Sequence, residues 1–406
     1  MIRYIILTAL ISVCTALSSQ NRMSSAELSY LYDADHEFII DHRLAQSNDQ
    51  VKIYLKFSLN SGMVKISDYN VRFDIRENYV SEKKSGSSIR LDSSFIIGNA
   101  NREFFYEIDL EKKDTDNLVV IEIENVVRKK KYFYDIPIST NPKFTNNPFL
   151  IFDKTGVLPL FKNHVNVGTT LKIKNVFENQ GSFEINGQID NKAVAMPPFD
   201  DTKPGDPTVI AIDTIYGSTN NEDFDFNNEG FYRINDSSDK SKTTGILVTN
   251  KFFPRYGEYK RMYQPLIYIT TSSEYNGIRE ATDAQKEFEN FVFGTVTNKA
   301  DIASTFIKHY FRRIKDAGYM FTSDQAGWKT DKGMLYQIFG NPRQVFRNEN
   351  TELWVYDFED GGRIRFIFDI MKGEGNIKGY KLIRNKKYKD VWMNAVIRWR
   401  NGQVIE

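Results

Sequence analysis

Beyond its fourteenth position the chain has no thiol, because Cys14 is its single cysteine. That excludes a disulfide framework, a cysteine-bound zinc and a cysteine nucleophile from the folded part. Histidine is nearly as scarce. His36, His42, His164 and His309 are the four in the chain. His36 and His42 stand six positions apart, on one face if their strand is continuous, but no zinc or metalloprotease spacing surrounds them. They read as structural or exposed residues, since a zinc site needs further converging ligands. An excess of either charge is also missing: 54 Lys and Arg face 53 Asp and Glu for a net +1. No global field therefore favours nucleic acid or an anionic membrane, and any charge-based partner must be met locally. No cofactor motif stands out, and none is expected.

What is present begins with an exported-protein signature. Arg3 precedes an apolar run from Tyr4 to Val13, shorter than the roughly 20 residues a membrane-crossing helix needs. With Cys14-Thr15-Ala16-Leu17-Ser18-Ser19 after it, residues 1–19 read as a signal peptide. Two ends compete. Small residues at Ala16 and Ser18 suit ordinary cleavage, whereas Ile11-Ser12-Val13-Cys14 resembles a lipobox that would make Cys14 a lipid anchor. Ordinary cleavage is the expectation, because bulky Val13 stands where a small residue is usual. At roughly 100 to 200 residues per domain, the mature chain has length for two to four domains.

The first of these spans 25–140. Val51, Ile53, Leu55 and Phe57 alternate with Lys52, Tyr54, Lys56 and Ser58, and Val71, Phe73 and Ile75 alternate with Arg72, Asp74 and Arg76. Period two means half-buried strands. Further runs at Ile89 to Ile97, Phe104 to Leu110 and Leu118 to Val127 suggest an immunoglobulin-like β-sandwich. Arg128-Lys129-Lys130-Lys131 reads as a solvated hairpin turn. The stretch Asn141-Pro142 to Asn147-Pro148 removes ladder donors and favours turns, which marks a boundary. A second β-rich sandwich follows over 146–275, with its last strand expected at Leu266 to Thr271 and a long proline-rich surface loop from Pro197 to Pro207.

The period changes to helical near Ile278. Phe288, Phe291 and Val292 follow Thr282 as a cap, and Ala303, Phe306, Ile307, Tyr310, Phe311 and Ile314 form a second stripe. Residues 279–406 are thus expected to form an α+β domain. Its hairpin turns through Glu359-Asp360-Gly361-Gly362, and its terminal helix, Asp390 to Arg400, carries Trp392 and Trp399 on one face.

Several segments are candidates for function, each beside a plainer explanation. Asp223, Asp225, Asn227 and Glu229 place oxygen ligands at alternate positions, a weak calcium candidate. A strand with phenylalanines inward explains the same letters, and Asn228 stands where an EF-hand loop needs glycine. Asp213-Thr214-Ile215 matches a short bacterial glycosylation signal with Thr214 as acceptor. Lys386 and Lys387, with Trp392 and Trp399 downstream, combine charge with amphipathic aromatics. They are candidates for partner docking or peripheral membrane association, against a terminal helix that docks on its own domain.

Tryptophan is absent before position 328. The segment Gly327-Trp328-Lys329-Thr330-Asp331-Lys332-Gly333, then Phe339-Gly340-Asn341-Pro342 and Glu352-Leu353-Trp354-Val355-Tyr356, resembles the GWxTD domain of secreted bacterial proteins, notably of Bacteroidetes. Read physically, Thr330 caps a short helix through Met334, Leu335 and Ile338. Asp331 suits the helix's positive end, Gly340 permits a left-handed exit and Pro342 prevents continuation. Trp328, Thr330 and Asp331 form either a partner-binding site or cap and core, and capping accounts for Thr-Asp without a ligand. A helix, a Gly-x-Pro exit and two antiparallel strands also loosely resemble small outer-membrane assembly lipoproteins of the BamE type, a likeness of geometry that transfers no function.

The resemblance implies an envelope protein, in the periplasm, at the outer membrane or at the cell surface, with no established catalysis attached. The expectation is a non-enzymatic interaction or assembly subunit of an outer-membrane or envelope complex. Glycan or ligand recognition by the sandwiches and a carboxylate-dependent hydrolase are the alternatives.

Overall fold

The computed structural model describes residues 22–140, 148–178, 181–190, 192–202, 208–218, 222–358 and 361–405. The expected signal segment with Cys14, the boundary at 141–147, part of the proline-rich loop (203–207) and the turn residues Glu359 and Asp360 lie outside them. The protein is mostly β-sheet, in several sheets, with a helical C-terminal part. It divides into two compact units that interleave in sequence. The first holds residues up to Leu150 together with Arg343–Ile370, and the second holds Ile151–Pro342 together with Met371 onward.

The first unit begins with β1 (Phe38–Gln46), β2 (Gln50–Leu59), β3 (Tyr69–Arg76) and β4 (Ile89–Arg90). β5 (Ile96–Ala100), β6 (Glu103–Glu111), β7 (Asn117–Asn125) and β8 (Lys130–Ile138) follow. They make two four-stranded antiparallel sheets, ordered β1-β2-β6-β5 and β4-β3-β7-β8. The alternation read from the sequence is met on β2, where Val51, Ile53, Leu55 and Phe57 are all buried, and on the first half of β3 with Val71 and Phe73. It then inverts, because Asp74 and Arg76 are buried as a pair bonded at 2.7 Å and Ile75 is half-buried. Phe38 stacks on Phe57 at 4.9 Å and meets Tyr69 of β3 and Tyr132 of β8 edge-on at 5.4 and 5.1 Å. Side chains of both sheets therefore share one core. The run Ile89 to Ile97, expected as one strand, is instead broken. Asp92 accepts a hydrogen bond from the Ser94 amide at 2.9 Å and turns the chain into a short 3₁₀ helix, Ser93–Phe95. Such local side-chain bonds compete with the sheet ladder.

In the second unit come β9 (Phe149–Asp153), β10 (His164–Asn166), β11 (Thr169–Asn175), β12 (Ser182–Asp190), β13 (Val209–Ser218), β14 (Asp223–Phe226), β15 (Gly230–Asp236) and β16 (Thr243–Thr249). Five form a sheet ordered β10-β16-β15-β12-β13, in which only β10 and β16 run parallel, and three form a sheet ordered β14-β11-β9. The helices are α1 (Tyr259–Met262), α2 (Ser272–Glu280), α3 (Ala284–Phe291), α4 (Ala300–Phe321) and α5 (Asp331–Phe339). The strand expected at Leu266 to Thr271 is absent. Pro265 sits at the start of a 3₁₀ helix over Gln264–Tyr268, and Thr271 caps α2 with Glu274 returning the bond, a reciprocal capping box that the sequence displayed. The cap of α3 is Asp283, whose side chain accepts from the Lys286 amide, and not the expected Thr282. The second stripe behaves as read, with Ala303, Phe306, Tyr310 and Ile314 buried on α4.

After Pro342 the chain returns to the first unit as β17 (Gln344–Arg347), β18 (Thr351–Asp357) and β19 (Arg363–Lys372), an antiparallel set. β20 (Lys378–Leu382) and α6 (Lys389–Arg400) then complete the second unit. Arg400 grips Glu274 with two nitrogens at 2.8 and 2.9 Å, tying α6 to α2, and this contact holds the Glu274 carboxyl down to about 2. A depressed carboxyl pKa contributes stability above its unfolded value and loses it as the pH falls through the folded value. Glu274→Gln should thus cost about 1 kcal/mol near neutral pH, below the usual range for a charged pair because the groups are partly exposed. In urea titrations the gap from the parent should shrink below pH about 4.5 and close near about 2. A gap independent of pH would exclude this ion pair as its source.

Candidate functional site: the Gly-Trp-Lys-Thr-Asp segment

Gly327, Trp328 and Lys329 form one 3₁₀ turn, and Thr330 begins α5 as its cap. The Thr330 hydroxyl accepts from the Gly333 amide at 3.1 Å and donates to the Gly327 carbonyl at 2.7 Å, while the Gly327 amide donates to Thr322 at 3.0 Å. These bonds press three backbones together. A Cβ on Gly327 would lie 2.0 Å from the Ala317 carbonyl oxygen, and one on Gly333 would lie 1.9 Å from that of Gly327. Both positions thus require glycine for want of space. At the far end Gly340 leaves the helix with φ 79° and ψ −150°, a conformation open essentially to glycine alone.

Every position of α5 from Lys332 to Phe339 is buried, so this short helix is the centre of the second unit and not a surface element. Trp328, 1% exposed, donates its indole N–H to the Tyr256 hydroxyl, whose pKa burial raises. Asp331 sits in the first turn, where negative charge is favoured. Its carboxylate accepts from the Leu382 amide at 2.8 Å and pairs with Arg384, which also donates to the Met196 carbonyl at 2.9 Å. The Ala195 amide donates to the Lys329 carbonyl at 2.8 Å. Lys329 itself is partly buried, which lowers its pKa. The motif thus gathers α4, α5, the loop around Ala195 and the segment after β20 into one junction.

The opposite end of α5 is finished by side chains. Arg313 donates to the Ile338 carbonyl at 2.9 Å and Trp399 to the same oxygen at 3.0 Å, placing a cation at the negative end of the helix. Trp399 packs edge-on to Tyr310 at 5.2 Å, and Trp392 meets Tyr268 at 5.9 Å and Phe339 at 6.0 Å. Both tryptophans are interior, 2% or less exposed. Lys386 and Lys387 are exposed, in a turn capped by Asn385.

The remaining candidates are scattered. β14 buries Phe224 and Phe226 and exposes Asp223 and Asp225. Asp223 pairs with Lys172 at 3.0 Å, Asp225 accepts from Thr170 at 2.6 Å, Glu229 pairs with Arg261 at 2.8 Å, and Asn227 is exposed. Among the described residues no group of three or more His, Asp or Glu side chains is placed to hold a metal. Thr214 is exposed and bonds Asn186 at 3.2 Å. His36 lies outside β1, which starts at Phe38, so it shares no strand face with His42. His42 bonds the Tyr134 hydroxyl at 2.7 Å, and His164 is buried beside Phe253, with desolvation taking its pKa to about 4.

A second polar cluster, unforeseen from the sequence, lies in the first unit. Arg347 of β17 stands opposite Glu352 of β18 and bonds it at 2.7 Å; its other nitrogens reach Asp135 of β8 at 2.5 Å and the Tyr32 hydroxyl at 3.1 Å. Glu352 accepts from Tyr32 at 2.8 Å and from the Trp354 indole at 2.6 Å, and Tyr79 donates to Asp135 at 2.6 Å. All six side chains are buried. The available signal was parity: Glu352 shares a strand face with Trp354 and Tyr356, so a charge sat among residues marked for the interior. Tyr32, Tyr79 and Asp135, more than two hundred positions away in sequence, carried no such mark.

The motif thus lies on a buried helix that is capped at both ends and closed by glycine contacts. Residues 230–401 match the GWxTD domain. The matched span opens at β15 and includes Arg343–Ile370, the segment that packs within the first unit. No curated protein matches the sequence. Among solved structures, the native conformation of Escherichia coli alpha-2-macroglobulin is 8% identical over 75% of this chain and 27% of its own, with TM-score 0.19. A chimeric titin Z1Z2 tandem is 13% identical over 52% of this chain and 99% of its own, with TM-score 0.15. The elastase-activated form of the Escherichia coli macroglobulin is 10% identical over 53% of this chain and 24% of its own, with TM-score 0.13. The chain thus spans about a quarter of the macroglobulin's length, and likenesses at these scores carry no argument.

Proposed function

We propose that the protein is a non-enzymatic subunit of the cell envelope, exported and associated with the outer membrane, that works by binding other envelope proteins in an assembly or secretion complex. The observation that carries this reading is how the family motif spends its polar groups. Thr330 is used in a cap, Asp331 in fixing the segment after β20, and the Trp328 indole in a bond to Tyr256. A motif whose side chains all serve to hold shape characterises a scaffold that displays surfaces, and function then resides in those surfaces. The reading takes the two sheets of the first unit as an immunoglobulin-like sandwich, with a second sandwich in the β-rich part of the other, both architectures common in binding modules. Among the described residues no helix is long and apolar enough to cross a membrane.

Affinity purification of the full chain from native envelopes, followed by mass spectrometry, tests this. Stoichiometric recovery of outer-membrane proteins is the expected result. Recovery of the protein alone, with hydrolysis of a glycan or peptide that one carboxylate substitution abolishes, would sink it.

A further inference from the structure

We propose that the outward face of α6, with the lysine turn before it, docks on an anionic lipid bilayer. The inference goes beyond the assembly reading and does not depend on it. On α6 one side is spent on the interior, where Trp392, Ala395, Val396 and Trp399 are buried. The other side carries Lys389, Met393 and Ile397, all exposed, at positions i, i+4 and i+8 along one stripe. Met393 is 41% and Ile397 49% exposed. Lys386 and Lys387 lie exposed in the turn that leads directly into the helix, with Lys387 over the Tyr388 ring at 5.2 Å. Among the described residues none of these three lysines pairs with a carboxylate, and Asp390 is the one exposed acid in the segment from Lys386 to Ile397.

Charge and residue type select the occupant. Uncompensated ammonium groups call for an anionic partner. A protein interface concentrates Tyr, Trp and Arg at its centre and is depleted in Lys. This stripe differs in its lysines and aromatics: it offers Lys389 with one methionine and one isoleucine, while its tryptophans face inward. Lysine stems can lie along an acyl boundary with their ammonium groups among headgroups, and Met393 and Ile397 are placed to enter that boundary. Two such side chains and three charges make an attachment that is weak and reversible, and that depends on anionic lipid and on low salt.

The test is flotation of the full chain with vesicles of phosphatidylcholine, with and without phosphatidylglycerol. The expected result is binding to the anionic vesicles only, lost at high salt, and weakened about a hundredfold by the combined changes Lys386→Glu, Lys387→Glu and Lys389→Glu. The three sites are exposed, so the variant should melt like the parent; if it does not, the corresponding Gln substitutions at the same positions replace it. Ile397→Ser with Met393→Ser should weaken binding while leaving its salt dependence in place. Equal binding to neutral vesicles, no binding to anionic ones, or a charge variant that floats like the parent overturns the proposal. Recovery of envelope proteins by the charge variant is read separately. Unchanged recovery with lost flotation leaves the assembly reading standing beside the lipid one, and failed recovery with intact flotation defeats the assembly reading alone.

Discussion

Replacing Arg347 by methionine is expected to destabilise the protein by about 3 to 5 kcal/mol, because it leaves two buried carboxylates without their counter-charge. Glu352 and Asp135 have side chains with no exposure, and Arg347 is the cation within ion-pair distance of both. The hydrogen bonds from Tyr32, Tyr79 and the Trp354 indole bring no positive charge to them. Guanidinium unfolding of the full chain measures the loss, and a transition confined to the first unit should move to lower denaturant. Arg363→Met supplies the control. Its partner is Asp357 at 2.6 Å, but the two side chains are 51% and 39% exposed, and exposed pairs contribute about 1 kcal/mol or less. Equal shifts for the two variants would mean that the cluster is not the buried device described.

Trp328→Ala is expected to cost a similar amount, about 3 to 5 kcal/mol, as a large buried side chain removed to leave a cavity. The indole is enclosed beside α5, and its loss also removes a partner of the half-buried Tyr256 hydroxyl. Thr330→Ala, which removes the cap, should cost about 0.5 to 2 kcal/mol. Both losses should appear in melting of the full chain with no partner present. If both variants melt like the parent while recovery of envelope proteins collapses, the motif is a contact surface and its structural role is refuted.

Local rules carried the reading of the sequence where the physics is local. The period-two run on β2, the Thr330 cap, the Gly340 exit and the helical stripes of α4 and α6 arise from interactions within a turn or a strand, and they appear where the letters place them. On β3, by contrast, the buried Asp74–Arg76 pair inverts the alternation. Local rules also failed where a stronger local signal was passed over. The capping box from Thr271 to Glu274 outweighed the β-branched letters around Ile267 and Ile269, and Asp92 broke a run that looked like one strand.

The sequence by itself determined most kinds of element and the GWxTD domain, because hydrophobic period, caps and a rare motif are written in neighbouring residues. Only the tertiary structure decided membership and burial. The Asp-Gly signal marked Leu353 to Ile370 as a hairpin, but the place of Arg343–Ile370 in the first unit involves Arg347 meeting Asp135 across more than two hundred positions. In the same way, an amphipathic helix can turn its tryptophans to a membrane or to its own domain with one and the same sequence. What turned Trp392 and Trp399 inward was the aromatic and carbonyl surface prepared by Tyr268, Tyr310 and Ile338. That surface exists only after distant segments have packed, which is why no window of sequence displays it.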